Sequence, residues 1–123
     1  MDTNVIIWYF DKDFGLKSKI EELIKDPTNE IYISHVSIWE MVIKINANKL
    51  SLKSGFDSML DDIFKSKFEV LQTKNSHLKK YLSLPLIHKD PFDRLLISTA
   101  QVENLLFITS DDEIHKYDVK WVW

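Results

Sequence analysis

Cysteine is missing altogether from the 123 residues. That removes a disulfide framework, a thiolate zinc site and a cysteine nucleophile together, and allows a reducing cytoplasm as the compartment. Glycine and proline are scarce, at two and three residues, so neither a collagen-like nor a linker-dominated chain fits. With Gly15 and Gly55 alone, no phosphate-cradling loop or dinucleotide fingerprint can be built, which excludes kinase, P-loop ATPase and Rossmann dehydrogenase chemistry. Long hydrophobic runs are wanting too. The longest, Val5 to Phe10, is six residues, against the roughly 20 that cross a bilayer. No basic stretch leads into a cleavable apolar segment, and the expectation is a soluble, unexported, cytoplasmic protein without membrane contact. Arginine occurs once, at Arg94; the 16 basic residues are otherwise lysines, and 19 acids bring the net charge to -3. Such a field mildly repels phosphate, so nucleic-acid binding has to come from a local basic patch or a bound cation.

What is present suffices for one compact domain over residues 1–123, since 45% of the residues are hydrophobic and 28% charged. Leu16, Ile20, Leu23 and Ile24 recur at helical spacing over 17–26, with Pro27 as the stop. Ile31 to Ser34 reads as a short buried strand. A helix from Ser37 to about Leu50 follows, with Ser37 and Glu40 matching a capping box. After Gly55 comes a helical stripe of Phe56, Met59, Leu60, Ile63 and Phe64, then a strand over Phe68–Thr73 and a weaker helix over Asn75–Ser83. Asp90-Pro91-Phe92-Asp93 joins an N-cap, a first-position proline and a first-turn acid, and so predicts a helix start at 90 or 91. Leu105–Thr109 is a buried strand, Ser110 to Glu113 opens another helix, and Val119–Trp123 is an edge strand. Strands alternating with helices define an α/β fold with a mostly parallel sheet.

In such a sheet, ligands bind beyond the carboxyl ends of the strands. Asp2, Glu40, Asp90, Asp93 and Asp111 fall at those junctions. Each has an ordinary capping explanation: Glu40 in the capping box, Asp90 as N-cap, Asp93 in a first turn, Asp111 or Asp112 before the last helix. Their shared edge is what ordinary capping does not explain. Two carboxylates about 4 Å apart repel by about 4 kcal/mol at an effective dielectric near 20, so several together need a cation. The absence of cysteine, and of any H-x-x-x-H pattern, steers the choice from zinc to Mg²⁺ or Mn²⁺. Ions of this kind activate water and polarise phosphoryl oxygens, the chemistry of phosphodiester hydrolysis.

Four stretches then carry a likeness that spacing alone does not supply: Asp2-Thr3-Asn4 with Trp8, Ser37-Ile38-Trp39-Glu40, His88-Lys89-Asp90-Pro91-Phe92-Asp93-Arg94-Leu95-Leu96-Ile97, and Thr109-Ser110-Asp111. In this order and spacing the chain resembles PIN-domain proteins, and within them the VapC-type toxins of type II toxin–antitoxin modules. The resemblance implies a three-layer PIN-like fold, a sheet of about five strands between helices, and a Mg²⁺- or Mn²⁺-dependent ribonuclease that acts as a toxin. It places metal and catalysis on Asp2, Glu40, Asp93 and Asp111, with Asp90 either a further metal ligand or simply the cap of its helix. Thr3, Asn4, Thr109 and Ser110 would hold those carboxylates by hydrogen bonds. It also implies a cognate antitoxin, a homodimer, and an apolar strand ahead of the first aspartate. Only Met1 precedes Asp2 here, which implies a start upstream or a stunted first strand, and with it an alternative: a catalytically impaired binding module whose acids dock a basic segment. A PIN nuclease of RNA maturation is a third reading.

For substrate, Lys44, Lys49 and Arg94 are the candidates, Arg94 for its bidentate fork. Lys44 stands four residues after Glu40, so an intrahelical ion pair competes with that role. Trp8, Tyr9 and Phe10 read as core or a partner-binding face, and Trp39 as packing behind the site. His88 and His115 are within reach of the cleft, although histidines at helix ends more often serve as caps or surface groups.

Overall fold

The computed structural model describes all of Met1–Trp123. In chain order the elements are α1 (Thr3–Phe10), α2 (Ser18–Lys25), β1 (Tyr32–Ser34), α3 (His35–Asn46), α4 (Phe56–Lys65), β2 (Glu69–Leu71), α5 (Asn75–Leu82), α6 (Pro91–Val102), β3 (Phe107–Ile108), a 3₁₀ turn (Ile114–Lys116) and β4 (Trp121–Val122). No helix is long and apolar enough to cross a membrane.

The apolar run after Asp2 forms α1, because Asp2 caps it: its Oδ1 accepts the Val5 N–H at 2.9 Å. Trp8 of this helix packs so closely on the chain that a Cβ at Gly15 would lie 2.8 Å from its ring, and its indole lies 5.6 Å from that of Trp123. Gly55, at φ +80, supplies the left-handed backbone at the start of α4. Buried His77 accepts the Lys74 N–H on Nδ1 and approaches Glu103 to 2.7 Å, which ties α5 to the end of α6.

Two expectations need correction here. Ser37 and Glu40 form no capping box: β1 runs into α3 without a loop, so Ser34, the last strand residue, is the N-cap and accepts the Val36 N–H at 3.2 Å. Ser37 and Glu40 lie inside the helix, both buried. Nor does a helix follow Ser110–Glu113. The segment makes one 3₁₀ turn, closed when Tyr117 returns to extended backbone at ψ 156.

The strands pair in parallel as two two-stranded sheets, β1 with β2 (Tyr32 opposite Glu69) and β3 with β4 (Phe107 opposite Trp121). They are the halves of one layer. Met1 donates its α-ammonium to the Tyr32 carbonyl on β1 at 3.2 Å, and Asp2 donates its N–H to the Ile108 carbonyl on β3 at 3.0 Å. Alternate residues bonding to alternate sides is how a central strand behaves, and Met1 and Asp2 join the two pairs in this way, with one bond to each. Behind it a cavity of about 160 Å³, lined by Leu23, Ile31, Leu96, Ala100, Leu105 and Phe107 among others, separates the facing edges of β1 and β3.

Apolar side chains cover both faces of this layer. Ile108 belongs to the larger cluster, with Val5 and Ile6 of α1, Ile20 and Ile24 of α2, Met41 of α3 and Ile63 of α4. Its neighbour Phe107 joins the second, with Leu96, Ile97 and Ala100 of α6 and Tyr117. Successive strand residues point to opposite faces, so helices sandwich the strands in three layers.

Candidate metal centre

All four principal acids lie at the carboxyl ends of the strands, each brought there by a different element. Asp2 caps α1 with Oδ1 and is held by the Thr109 hydroxyl; it is 4% exposed. Glu40, 3% exposed, points inward from the middle of α3, where Oε2 accepts the Thr3 hydroxyl and Oε1 meets Lys44 Nζ at 2.7 Å. Asp93 sits in the first turn of α6. Asp111 follows β3, its N–H on the Thr109 hydroxyl at 3.1 Å and its Oδ1 accepting the Glu113 N–H at 2.8 Å.

They are near enough to feel one another's charge, although only Asp93 and Asp111, together with His88, present ligand atoms within 4.8 Å of one another. Burial first, then the charges of Asp90 and Glu40, push the Asp93 carboxyl up to about 7, with Asp2 adding to the rise and His88 opposing it. Asp2 is also raised, by burial above all, although Thr109 and the Val5 N–H stabilise its anion. Asp111 is acted on by burial upward, yet it ends below the usual carboxylate range because His88 and the Glu113 N–H bond it. The donor set is therefore crowded, anionic and made of oxygen, which fits a hard divalent cation and supplies no thiolate.

Asp90 spends Oδ1 on the helix start, accepting the N–H groups of Phe92 at 2.8 Å and Asp93 at 3.1 Å. Thr3 and Thr109 do hold carboxylates, as described above, but Asn4 is exposed without a side-chain hydrogen bond, and the Ser110 hydroxyl makes none. The expected substrate role of Arg94 is overturned. Its guanidinium is inside the protein, 6% exposed, donating to the carbonyls of Pro85 at 2.7 Å and Leu84 at 3.4 Å and to the Tyr117 hydroxyl at 3.2 Å, so it holds the 84–88 loop from a buried position. Lys49 is exposed beyond α3 without an ion pair. Lys44 is occupied by Glu40 but remains partly open to solvent.

Sequence reasoning undervalued His88. Its Nε2 lies 2.9 Å from Asp111 Oδ2 and 3.2 Å from Asp93 Oδ2, and the three residues present ligand atoms within 4.8 Å of one another. Its place two residues before a capping aspartate was the available signal. His115 instead stacks on Trp121 at 3.6 Å, outside the acids.

A model of the PIN domain matches residues 1–120, and the chain belongs to the PIN-domain family. Among solved structures it is similar to a chain of VapBC2 from Rickettsia felis bound to a DNA fragment from their promoter, with TM-score 0.73 and 20% identity over 98% of this chain and 93% of that chain. No curated protein sequence matches the chain.

Proposed function

We propose that the chain is a Mg²⁺- or Mn²⁺-dependent endoribonuclease that serves as the toxin of a toxin–antitoxin pair. The observation that carries this reading is the meeting of Asp2, Glu40, Asp93 and Asp111 from four separate elements, with the Asp93 carboxyl raised to about 7 by burial and its anionic neighbours. Those four residues would hold the cation, with Asp90 close behind. When bound, a divalent cation supplies charge to a phosphoryl oxygen and acidity to water. The chain's own groups do the rest. Thr3 and Thr109 keep the carboxylates of Glu40 and Asp2 in fixed rotamers. Lys44 balances the second oxygen of Glu40 from a partly exposed position, where a phosphate can share its ammonium. Asp93 would give up its proton when a cation arrives.

The antitoxin belongs to the same reading. It is supported by the likeness to a VapBC2 complex and by an apolar outer face on α3, where Trp39 is 56% exposed and meets the Phe92 ring edge-on at 5.1 Å, with Val42 and Ile43 beside it. A homodimer and an RNA substrate complete the proposal. The test is inducible expression of the chain and of Asp93→Asn, followed by incubation of both purified proteins with RNA and Mn²⁺. Growth arrest and cleavage by the first alone support the nuclease. Equal behaviour of the two, or tight binding of a basic peptide without cleavage, refutes it.

A further inference from the structure

His88 stands among the acids in a way that fixes which of its nitrogens carries the proton. Its backbone is immobilised from outside the loop: the Tyr117 hydroxyl accepts the N–H groups of Ile87 at 3.3 Å and His88 at 2.8 Å, and itself donates to the Pro85 carbonyl at 3.0 Å. The ring is held at both ends. Nδ1 accepts the backbone N–H of Asp90 at 3.0 Å, and Nε2 lies between Asp111 Oδ2 and Asp93 Oδ2. A backbone N–H only donates, so Nδ1 must present its lone pair, and the proton resides on Nε2. An Nε2 that bears hydrogen has no in-plane lone pair for a cation.

We infer that His88 is a positioning residue rather than a ligand: its Nε2–H bonds Asp111 Oδ2 and fixes that rotamer, and the same nitrogen, 3.2 Å from Asp93 Oδ2, packs against the second carboxylate so that the two face a common point. The geometry of Asp111 agrees, because Oδ2 takes the imidazole and Oδ1 the Glu113 N–H, leaving the carboxylate no freedom to turn. Asp93 keeps Oδ1 for other use. The cation site is thereby left with oxygen donors alone, which favours Mg²⁺ and Mn²⁺ over zinc. This inference deepens the metal-centre reading and rests on it for its effect on affinity, while the protonation pattern of the ring stands independently.

The experiment has two arms. In the first, the full chain labelled with ¹⁵N-histidine is observed by long-range ¹H–¹⁵N correlation at pH 8, without metal and with saturating Mg²⁺. The expected result is a His88 ring protonated at Nε2 in both states. A ring protonated at Nδ1, or a shift to that pattern with Mg²⁺, overturns the proposal. In the second, Mn²⁺ affinity is measured by calorimetry for the protein and for His88→Ala and His88→Gln. Loss of a group that orients a ligand costs about 10–100-fold in metal affinity, so that weakening is expected for alanine. Glutamine places an amide N–H near Nε2 and a carbonyl oxygen able to take the Asp90 N–H, and should recover affinity to within about threefold. Unchanged binding by alanine, or no recovery by glutamine, removes the positioning role. Failure of the unsubstituted protein to bind Mn²⁺ or Mg²⁺ refutes instead the metal-centre reading, and is told apart by the first arm.

Discussion

A strand built ahead of Met1 is the sharpest perturbation the fold offers. The two residues Met1 and Asp2 bridge β1 and β3, and the next groups back along those edges, the carbonyls of Glu30 and Leu106, accept no hydrogen bond from the protein. The α-ammonium sits at the mouth of the apolar cavity, where burial depresses its pKa from 8.0 to about 6 against the pull of Asp2. Fusing an extended segment of about four valine and isoleucine residues would replace that ammonium with a peptide N–H able to keep the Tyr32 bond.

The terms can be weighed. Two new hydrogen bonds contribute about 2 kcal/mol, and two apolar side chains entering the cavity about 4 kcal/mol. Ordering the four residues costs about 6 kcal/mol. These nearly cancel and leave the charge. An amine whose folded pKa lies below its unfolded value binds fewer protons when folded, so stability rises with pH between 6 and 8. Two pK units correspond to roughly 2–3 kcal/mol, and at about 3 °C per kcal/mol the extension should raise Tm by roughly 6–9 °C at pH 6 and by little above pH 8. Thermal melts of both proteins across pH 5–9, each read by circular dichroism, give the difference, in which all other titrations cancel. A Tm difference that does not change with pH, or an extended protein that melts lower throughout, would refute the reasoning.

Other substitutions probe the acids and their supports. Asp93→Asn removes a carboxyl whose folded pKa of about 7 exceeds its ordinary 3.8, a shift that makes stability fall as pH rises from about 4 to 7. The variant should lose that slope in chemical denaturation and gain roughly 2–4 kcal/mol at pH 8, while RNA cleavage disappears. Saturating Mn²⁺ at pH 8 should raise the Tm of the unsubstituted protein, by about 2.7 kcal/mol of stabilisation at a hundredfold excess over Kd, with EDTA reversing it and Asp93→Asn showing none. Arg94→Lys strips the fork from Pro85, Leu84 and Tyr117 and should cost about 2–4 kcal/mol in urea unfolding, with no change in the salt dependence of RNA binding by the folded fraction.

Much of this arrangement was legible before the fold was known. The Asp90-Pro91 start of α6 is local chemistry, a cap and a preset φ, and lands at the residue expected. Helices α2 and α4 follow from spacing, since each presents one apolar face, and strand β1 from its short β-branched run. What failed depended on context beyond the window. Ser37-x-x-Glu40 has the form of a capping box, but a strand leading straight into a helix moves the cap back to Ser34 and turns Glu40 inward. Arg94 looked like a phosphate fork beside Asp93. Three residues before buried Ile97, it shares the inner face of α6, and a guanidinium there must spend its donors on carbonyls. The three-layer α/β architecture was legible throughout; of the sheet of about five strands, the structure has two parallel pairs bridged by Met1 and Asp2.

The way charge is distributed among the acids links these observations. Asp2 has the α-ammonium beside it, Glu40 has Lys44, and Asp111 has the His88 N–H together with a backbone donor. Asp93 has only the approach of His88 Nε2, at 3.2 Å, while burial and the charges of Asp90, Glu40 and Asp2 all act against its anion. It is therefore the carboxyl that takes up a proton when nothing else neutralises the group, and the one whose ionisation a divalent cation would change most. Cation affinity should accordingly fall as pH drops below 7, in step with Asp93 regaining its proton. Calorimetry of Mn²⁺ binding in buffers of different ionisation enthalpy measures the protons released: close to one per site near pH 6 is expected, and none would show that Asp93 does not face the ion.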